Sequence, residues 1–260
     1  MNIGVLGCTG RVGALIVKEL LSGDWDARGL TLVGGTVRDT RKVGAAEYFV
    51  TDKAEELFER ADVLIDFTLP EATADHIALA AAHKKTLIIG TSGVRKEDEA
   101  AMVEAAKATP IIYAANMSVG VNLLIALVEQ AAARLGPEWD AEILDLHHKY
   151  KVDAPSGTSY ALARAILKGR GEDETSDDKL VLAREGHTGP REQGTIGFSV
   201  QRGGDVIAEN SALFFGQGER LEITHRAQDR AIFAKGALRA ALWSAGKAPG
   251  LYSMRDVLGI

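Results

Sequence analysis

Two adjacent imidazoles, two lysines and a proline-led helix start fall within residues 144–159, LDLHHKYKVDAPSGTS. Imidazole titrates near neutrality, so His147 or His148 can give a proton to a reacting group at ordinary pH. The ammonium of Lys149 or Lys151 offers a cation for a carboxylate or for negative charge that develops during reaction. Ser156 or Thr158 can cap the helix that follows, and Gly157 lets an anion approach the backbone N–H groups at its start. A proton donor, a cation and an anion cradle on one loop suit a small substrate carrying carboxylates. A strand, a basic turn and an ordinary capped helix would leave the same string, because histidine pairs and PSGT turns also occur without chemistry.

Two elements must hold this loop in place. Residues 142–146 mix charged and apolar side chains (Glu142, Ile143, Leu144, Asp145, Leu146) as a short strand does, and such a strand would deliver His147 and His148 at its C-terminal end, facing opposite ways. Downstream, SYALARAILK places Leu162, Ala165 and Ile166 at helical spacing.

A second constellation lies at the start of the chain. MNIGVL reads as a buried strand, GCTGRVG follows at once, and ALIVKELLSG carries apolar positions at Leu15, Ile16, Leu20 and Leu21. Strand, glycine turn and helix in that order form a dinucleotide cradle: glycines permit the tight turn and close approach of a pyrophosphate, and the helix N-terminus supplies N–H groups. The spacing is GxxGxxG, looser than GxGxxG, and a glycine turn of this kind can also stand without a ligand. The expected pyrophosphate and adenosine contacts are Gly7, Cys8, Thr9, Gly10, Arg11 and Val12. The second strand, residues 30–35, runs on into Thr36, Val37, Arg38 and Asp39. At this end an acid bonds the 2′-hydroxyl of NAD, whereas an arginine pairs with the 2′-phosphate of NADP. Val37 and Arg38 therefore favour NADPH over NADH. Two other readings stay open: Asp39 could take the ribose, and Arg38 could be a solvated loop charge.

HHKYKVDAPSGT resembles the HHxxKxDAPSGT signature of the dihydrodipicolinate reductases, the NAD(P)H enzymes of the diaminopimelate route to lysine. The resemblance extends along nearly the whole chain through GCTGRVG at 7–13, DFTLPE at 66–71, IIGTSG at 88–93, AANMSVGVN at 114–122, REGHTGPREQGTIGF at 184–198 and GERLEITH at 218–225. It implies reduction of a cyclic imine dicarboxylate, 4-hydroxy-tetrahydrodipicolinate or dihydrodipicolinate, to tetrahydrodipicolinate. His147 would be the acid and Lys151 would assist protonation or steady charge, while His148, Gly157 and Thr158 would bind carboxylates. It also implies cofactor contacts at Gly90, Thr91 and Ser92, and at Ala114, Ala115, Asn116 and Met117 beside the nicotinamide. A homotetramer built through the sheets of the second domain is a further implication.

The remaining pattern gives the fold class. Strands at 61–68, 86–90 and 110–113 alternate with helices at 71–82 and 96–108, as in a Rossmann-like doubly wound parallel sheet. A helix over 121–135 crosses into a second α+β domain, where LVLA, TIGFSVQR, VIAENSALFF and ERLEITHRA suggest a mostly antiparallel or mixed sheet. His225, in the last of these strands, reads as a packed or hydrogen-bonded residue. A closing helix over 229–247 and the tail GLYSMRDVLG would return to the first domain. The expected division is 1–118 with 228–260 for the dinucleotide, and 119–227 for substrate and self-association.

Composition narrows the classes. At 260 residues, 46% hydrophobic and 25% charged, the chain is an ordinary globular protein. A net charge of −6 argues against nucleic acid, which wants a basic face. No stretch of about 18 apolar residues is present and MNIGVLG enters a strand directly, so neither a membrane span nor a signal peptide is expected, and the cytoplasm is. Six histidines without ligand spacing make a metal unlooked for. A semialdehyde dehydrogenase shares the glycine turn but needs a nucleophilic cysteine, and the single Cys8 sits inside that turn. A nucleotide sensor that kept the fold without the reaction is the other rival.

Overall fold

β1 (Asn2–Leu6) is buried from Ile3 onward, as befits the middle of a parallel sheet with helices on both faces. The computed structural model describes residues 1–44 and 46–260. β1 leads into α1 (Gly13–Leu21), and the chain continues through β2 (Thr31–Thr36), β3 (Phe49–Thr51), α2 (Ala54–Arg60), β4 (Val63–Asp66), α3 (Pro70–His83), β5 (Thr86–Ile89), α4 (Lys96–Ala105) and β6 (Pro110–Tyr113). Then come α5 (Val119–Leu135), β7 (Asp140–His147), α6 (Gly157–Gly169), β8 (Leu180–Val181), β9 (Ile196–Arg202), β10 (Ala208–Gly216) and β11 (Glu219–Ala227). The chain closes with α7 (Ala231–Trp243), β12 (Gly250–Tyr252) and α8 (Met254–Leu258).

Two compact units result, one of residues 1–119 with 230–260 and one of residues 120–229. In the first, the described strands form a seven-stranded sheet in the order β12-β6-β5-β4-β1-β2-β3 with parallel pairing throughout. Alternate side chains go to opposite faces. Ile3, Val5, Ile65, Ile88 and Ile112 pack against α1 and α7, while Leu6, Leu64, Leu87 and Ile111 pack against α2, α3 and α4. Burying each such side chain contributes about 1.5–3 kcal/mol. This is the doubly wound arrangement, and ligands in such sheets bind outside the C-terminal ends of the strands.

The second unit has a five-stranded sheet in the order β11-β10-β7-β9-β8. β10 runs antiparallel to β7 and β11, whereas β7 and β8 run parallel to β9, so the sheet is mixed. Its inner face, with Ile143, Phe198 and Phe214, is closed by Leu124 and Val128 of α5 and by Leu162 and Ile166 of α6. β7 is the central strand, and its odd-numbered residues point to the helices. No helix of the described residues is long and apolar enough to cross a membrane.

Candidate active site

β7 carries the chemistry at its end. Ala141 and Ile143 belong to the core, and the same pleat brings Asp145 and His147 to the same helix-covered face. His147 is the last residue of the strand and is buried, while His148, one step on, is half-buried. The next residues turn tightly, with the Lys151 N–H donating to the His148 carbonyl at 3.1 Å and the Lys149 N–H donating to the Gly204 carbonyl at 3.2 Å. Ser156 then caps α6, its hydroxyl accepting from the Ser159 N–H at 3.2 Å. Gly157 and Thr158 are therefore the first two helical residues, placed where anions meet backbone donors.

A polar network buried under this loop holds it. His147 Nδ1 lies 2.6 Å from Asp145 Oδ1, the Ser156 N–H donates to Asp145 Oδ2 at 2.5 Å, and Arg202 Nη1 donates to Asp145 Oδ1 at 3.1 Å. Asn210, opposite Asp145 on β10, donates to the Ser159 hydroxyl at 3.0 Å, and that hydroxyl is 3.1 Å from the Ser156 hydroxyl. Burial pushes the Asp145 carboxyl up, but the hydrogen bonds from His147, Ser156 and Arg202 outweigh it and hold the group well below the usual carboxylate range. Lys151 Nζ donates to both carboxylate oxygens of Asp153 at 2.8 Å. His148 Nδ1 is buried with no hydrogen-bond partner among the described residues.

The glycine turn of the first unit has the shape a pyrophosphate cradle needs. Gly7 sits at φ 73°, a left-handed backbone, and a Cβ on Gly13 would run into the Gly7 carbonyl, so only glycine closes the turn onto α1. The Gly10 N–H donates to the Gly7 carbonyl at 2.9 Å, leaving Thr9, Gly10 and Arg11 exposed at the head of the helix. Cys8 is different. Its N–H donates to the Thr36 carbonyl at 2.9 Å, and its side chain is buried, with a hydrogen bond to the half-buried Tyr48. Val37 is buried and Arg38 exposed, whereas Asp39 is paired with Arg41.

Models described as "Dihydrodipicolinate reductase, N-terminus" and "Dihydrodipicolinate reductase, C-terminus" match residues 1–117 and 120–258. The chain belongs to the dihydrodipicolinate reductase family. Among curated relatives, a 4-hydroxy-tetrahydrodipicolinate reductase of Allorhizobium ampelinum is 47% identical over all of this chain and 98% of its own length. The one of Zymomonas mobilis is 45% identical with the same coverage. Among solved structures, the dipicolinate-bound dihydrodipicolinate reductase of Paenisporosarcina sp. TG-14 is similar at TM-score 0.80 and 23% identity, covering 98% of both chains, a likeness of fold.

Within this reductase frame the other expected contacts lie at the C-terminal ends of their strands. Gly90 follows β5 with the Phe67 ring where a Cβ would be, Thr91 is buried with its hydroxyl donating to the Thr68 carbonyl at 3.3 Å, and Ser92 is exposed. Ala114, Ala115 and Asn116 follow β6, and Asn116 Oδ1 accepts from the Ser118 N–H at 2.9 Å. The Met117 side chain is 1% exposed, in the core of the first unit. Asp145, Arg202, Asn210 and Arg41 are the partners that the sequence reading passed over. For Asp145 a signal existed, since a residue two before His147 on a strand must share its face. For Arg202 and Asn210, 57 and 65 positions beyond Asp145 in the chain, there was none.

Proposed function

We propose that this chain catalyses the NAD(P)H-dependent reduction of 4-hydroxy-tetrahydrodipicolinate or dihydrodipicolinate to tetrahydrodipicolinate, the reductase step of the diaminopimelate route to lysine. One observation carries it within the family frame: imidazole, ammonium and capped helix N-terminus are gathered on the single loop between β7 and α6. The first unit is the dinucleotide-binding unit, with Gly7, Thr9, Gly10, Arg11 and Val12 at the pyrophosphate and Gly90, Thr91, Ser92, Ala114, Ala115 and Asn116 further along. A reduced nicotinamide, when bound, supplies a hydride to an electron-poor carbon of the conjugated ring. The second unit supplies the rest.

Where the 4-hydroxy compound is bound, its hydroxyl first leaves as water to give the conjugated ring; His147 then gives the proton that the electron-rich, nitrogen-containing ring system takes up after hydride arrives, so hydride and proton together complete the reduction of that ring. Lys151, held by Asp153 in the free protein, exchanges that carboxylate for one of the substrate's and steadies the charge that develops. Gly157 and Thr158 bind a carboxylate at the start of α6, and the orphaned buried nitrogen of His148 supports a role for that ring against the same substrate. NADPH is preferred and NADH is also used, as the next-door Arg38 and the occupied Asp39 suggest. A homotetramer assembled through the second unit is supported by the open edge of its sheet, β11, where Leu221 is exposed. A diffusible cofactor and a small dicarboxylate fit a cytoplasmic enzyme.

The test is oxidation of NAD(P)H followed at 340 nm with enzymatically generated substrate. Turnover with either cofactor is the expected result. Binding of NAD(P)H without oxidation would replace the enzyme reading with that of a nucleotide sensor.

A further inference from the structure

The carboxylate behind His147 has a fixed set of neighbours, and every one of them is a donor. Asp145 is fully buried, Ser156 gives it a backbone N–H and Arg202 gives it a guanidinium N–H. A carboxylate so placed is ionised and has no proton to share. The 2.6 Å contact between Asp145 Oδ1 and His147 Nδ1 therefore requires the proton to sit on Nδ1. The other ring nitrogen, Nε2, is left as the one that can gain and lose a proton. A histidine free to take either tautomer would present Nε2 in the wrong state for part of the time.

We propose that Asp145 is the positioning residue of this site, fixing His147 as the Nδ1–H tautomer with Nε2 as the sole proton-transferring atom, and that Arg202 keeps the pair in register. The guanidinium is suited to that task. Its Nη1 reaches the side chain and carbonyl of Asp145 at 3.1 and 3.3 Å, and its Nη2 donates to the Asp153 carbonyl at 2.7 Å. Asp153 in turn holds Lys151 through two 2.8 Å contacts. One arginine thus ties the partner of the imidazole to the partner of the ammonium. Arg202 faces His147 directly across β7 and β9, so the sheet itself sets the spacing.

A carboxylate that merely pinned α6 to β7 would leave the tautomer of His147 and the proton transfer unaffected, so the test reads those. The kinetic half rests on the reductase reading above; the spectroscopic half does not. Nitrogen-15 NMR of histidine-labelled protein, with His147 assigned by loss of its signals in His147→Gln, reports the tautomer at a pH where the ring is neutral. Wild type should show a protonated Nδ1 and a bare Nε2, and Asp145→Asn, whose amide can donate to Nδ1, should shift the ring towards Nε2–H. With substrate, Asp145→Asn should lower kcat about 10² to 10⁴-fold with KM changed only a few-fold, because proton donation acts in the transition state. Asp145→Glu, which keeps the charge, should recover part of that loss. A bare Nδ1 on wild-type His147 overturns the proposal even if the variants fail to fold, and so does an Asp145→Asn enzyme with near wild-type kcat. Absence of any wild-type turnover would sink the reductase reading while the spectrum still decides the tautomer.

Discussion

Arg41 grips Asp39 by both carboxylate oxygens, with Nε 2.9 Å from Oδ1 and Nη2 3.1 Å from Oδ2, and its own N–H donates to Oδ1 at 3.1 Å. These bonds hold the Asp39 carboxyl below its ordinary range and commit it to a neighbour two residues away. The acid after β2 is thus paired within its own loop, and Arg38 beside it is exposed.

The proposed preference for NADPH is tested through that pairing. A charge-assisted contact from Arg38 to a 2′-phosphate should make NADPH bind about 10-fold tighter than NADH at low salt, and the advantage should shrink as salt screens it. Arg38→Ala should remove most of the difference while leaving NADH binding nearly unchanged. Calorimetric titration of both cofactors decides the matter. Equal or tighter NADH binding by wild type would mean that Asp39 releases Arg41 or that a backbone group takes the ribose.

His147→Gln should lower kcat by roughly 10² to 10⁴-fold with little change in substrate KM, since a proton donor acts in the transition state. Lys151→Ala should damage both parameters, because the ammonium is assigned both a ground-state carboxylate and the developing charge. Steady-state kinetics on the purified variants checks this. Near wild-type kcat for His147→Gln at saturating substrate would take the acid role from it.

Why part of this site was legible and part was not is a matter of sequence distance. The glycine turn advertises itself because strand, turn and helix are contiguous, and the structure places β1, Gly7 and α1 in that order. The loop after β7 is equally local. The Asp145–His147 pair was half visible: residues 142–146 read as a mixture of charged and apolar side chains, and only burial shows that Asp145 shares the inner face with Ile143. Arg202 reaches Asp145 from β9, so its part depends on the pairing of β7 with β9, which no local pattern carries. β3 and β12, three residues each, and the short α2 and α8 lack the length for a periodic signal.

Cys8→Ala should leave turnover largely intact. Burial pushes the Cys8 thiol up, despite a hydrogen bond with Tyr48, and a buried protonated thiol is neither a nucleophile nor an anion ligand. The variant should lose some stability, about 1 kcal/mol, by opening a small gap beside Gly35. Complete loss of activity with cofactor binding preserved would revive thiohemiacetal chemistry and with it the semialdehyde dehydrogenase reading.

The ring of His225 lies over Gly120 so closely that a Cβ there would fall 2.6 Å from Cδ2 and 2.7 Å from Nε2. Nδ1 is buried without a hydrogen-bond partner among the described residues, and burial lowers the pKa of the ring. The sign of the pH effect is then fixed. In the unfolded chain the ring takes its proton at about 6.5, whereas in the native protein it resists protonation until the pH is lower. Between those values the unfolded state binds more protons, so stability rises with pH; the contribution is complete above about 6.5 and is lost as pH falls through the native value. His225→Gln has no such proton to refuse. Urea unfolding at roughly pH 5 and pH 8 should therefore show a steeper loss of stability on acidification for wild type than for the variant. An identical pH dependence in the two proteins would mean that the ring finds a proton acceptor when charged, and that its burial against Gly120 is a matter of packing alone.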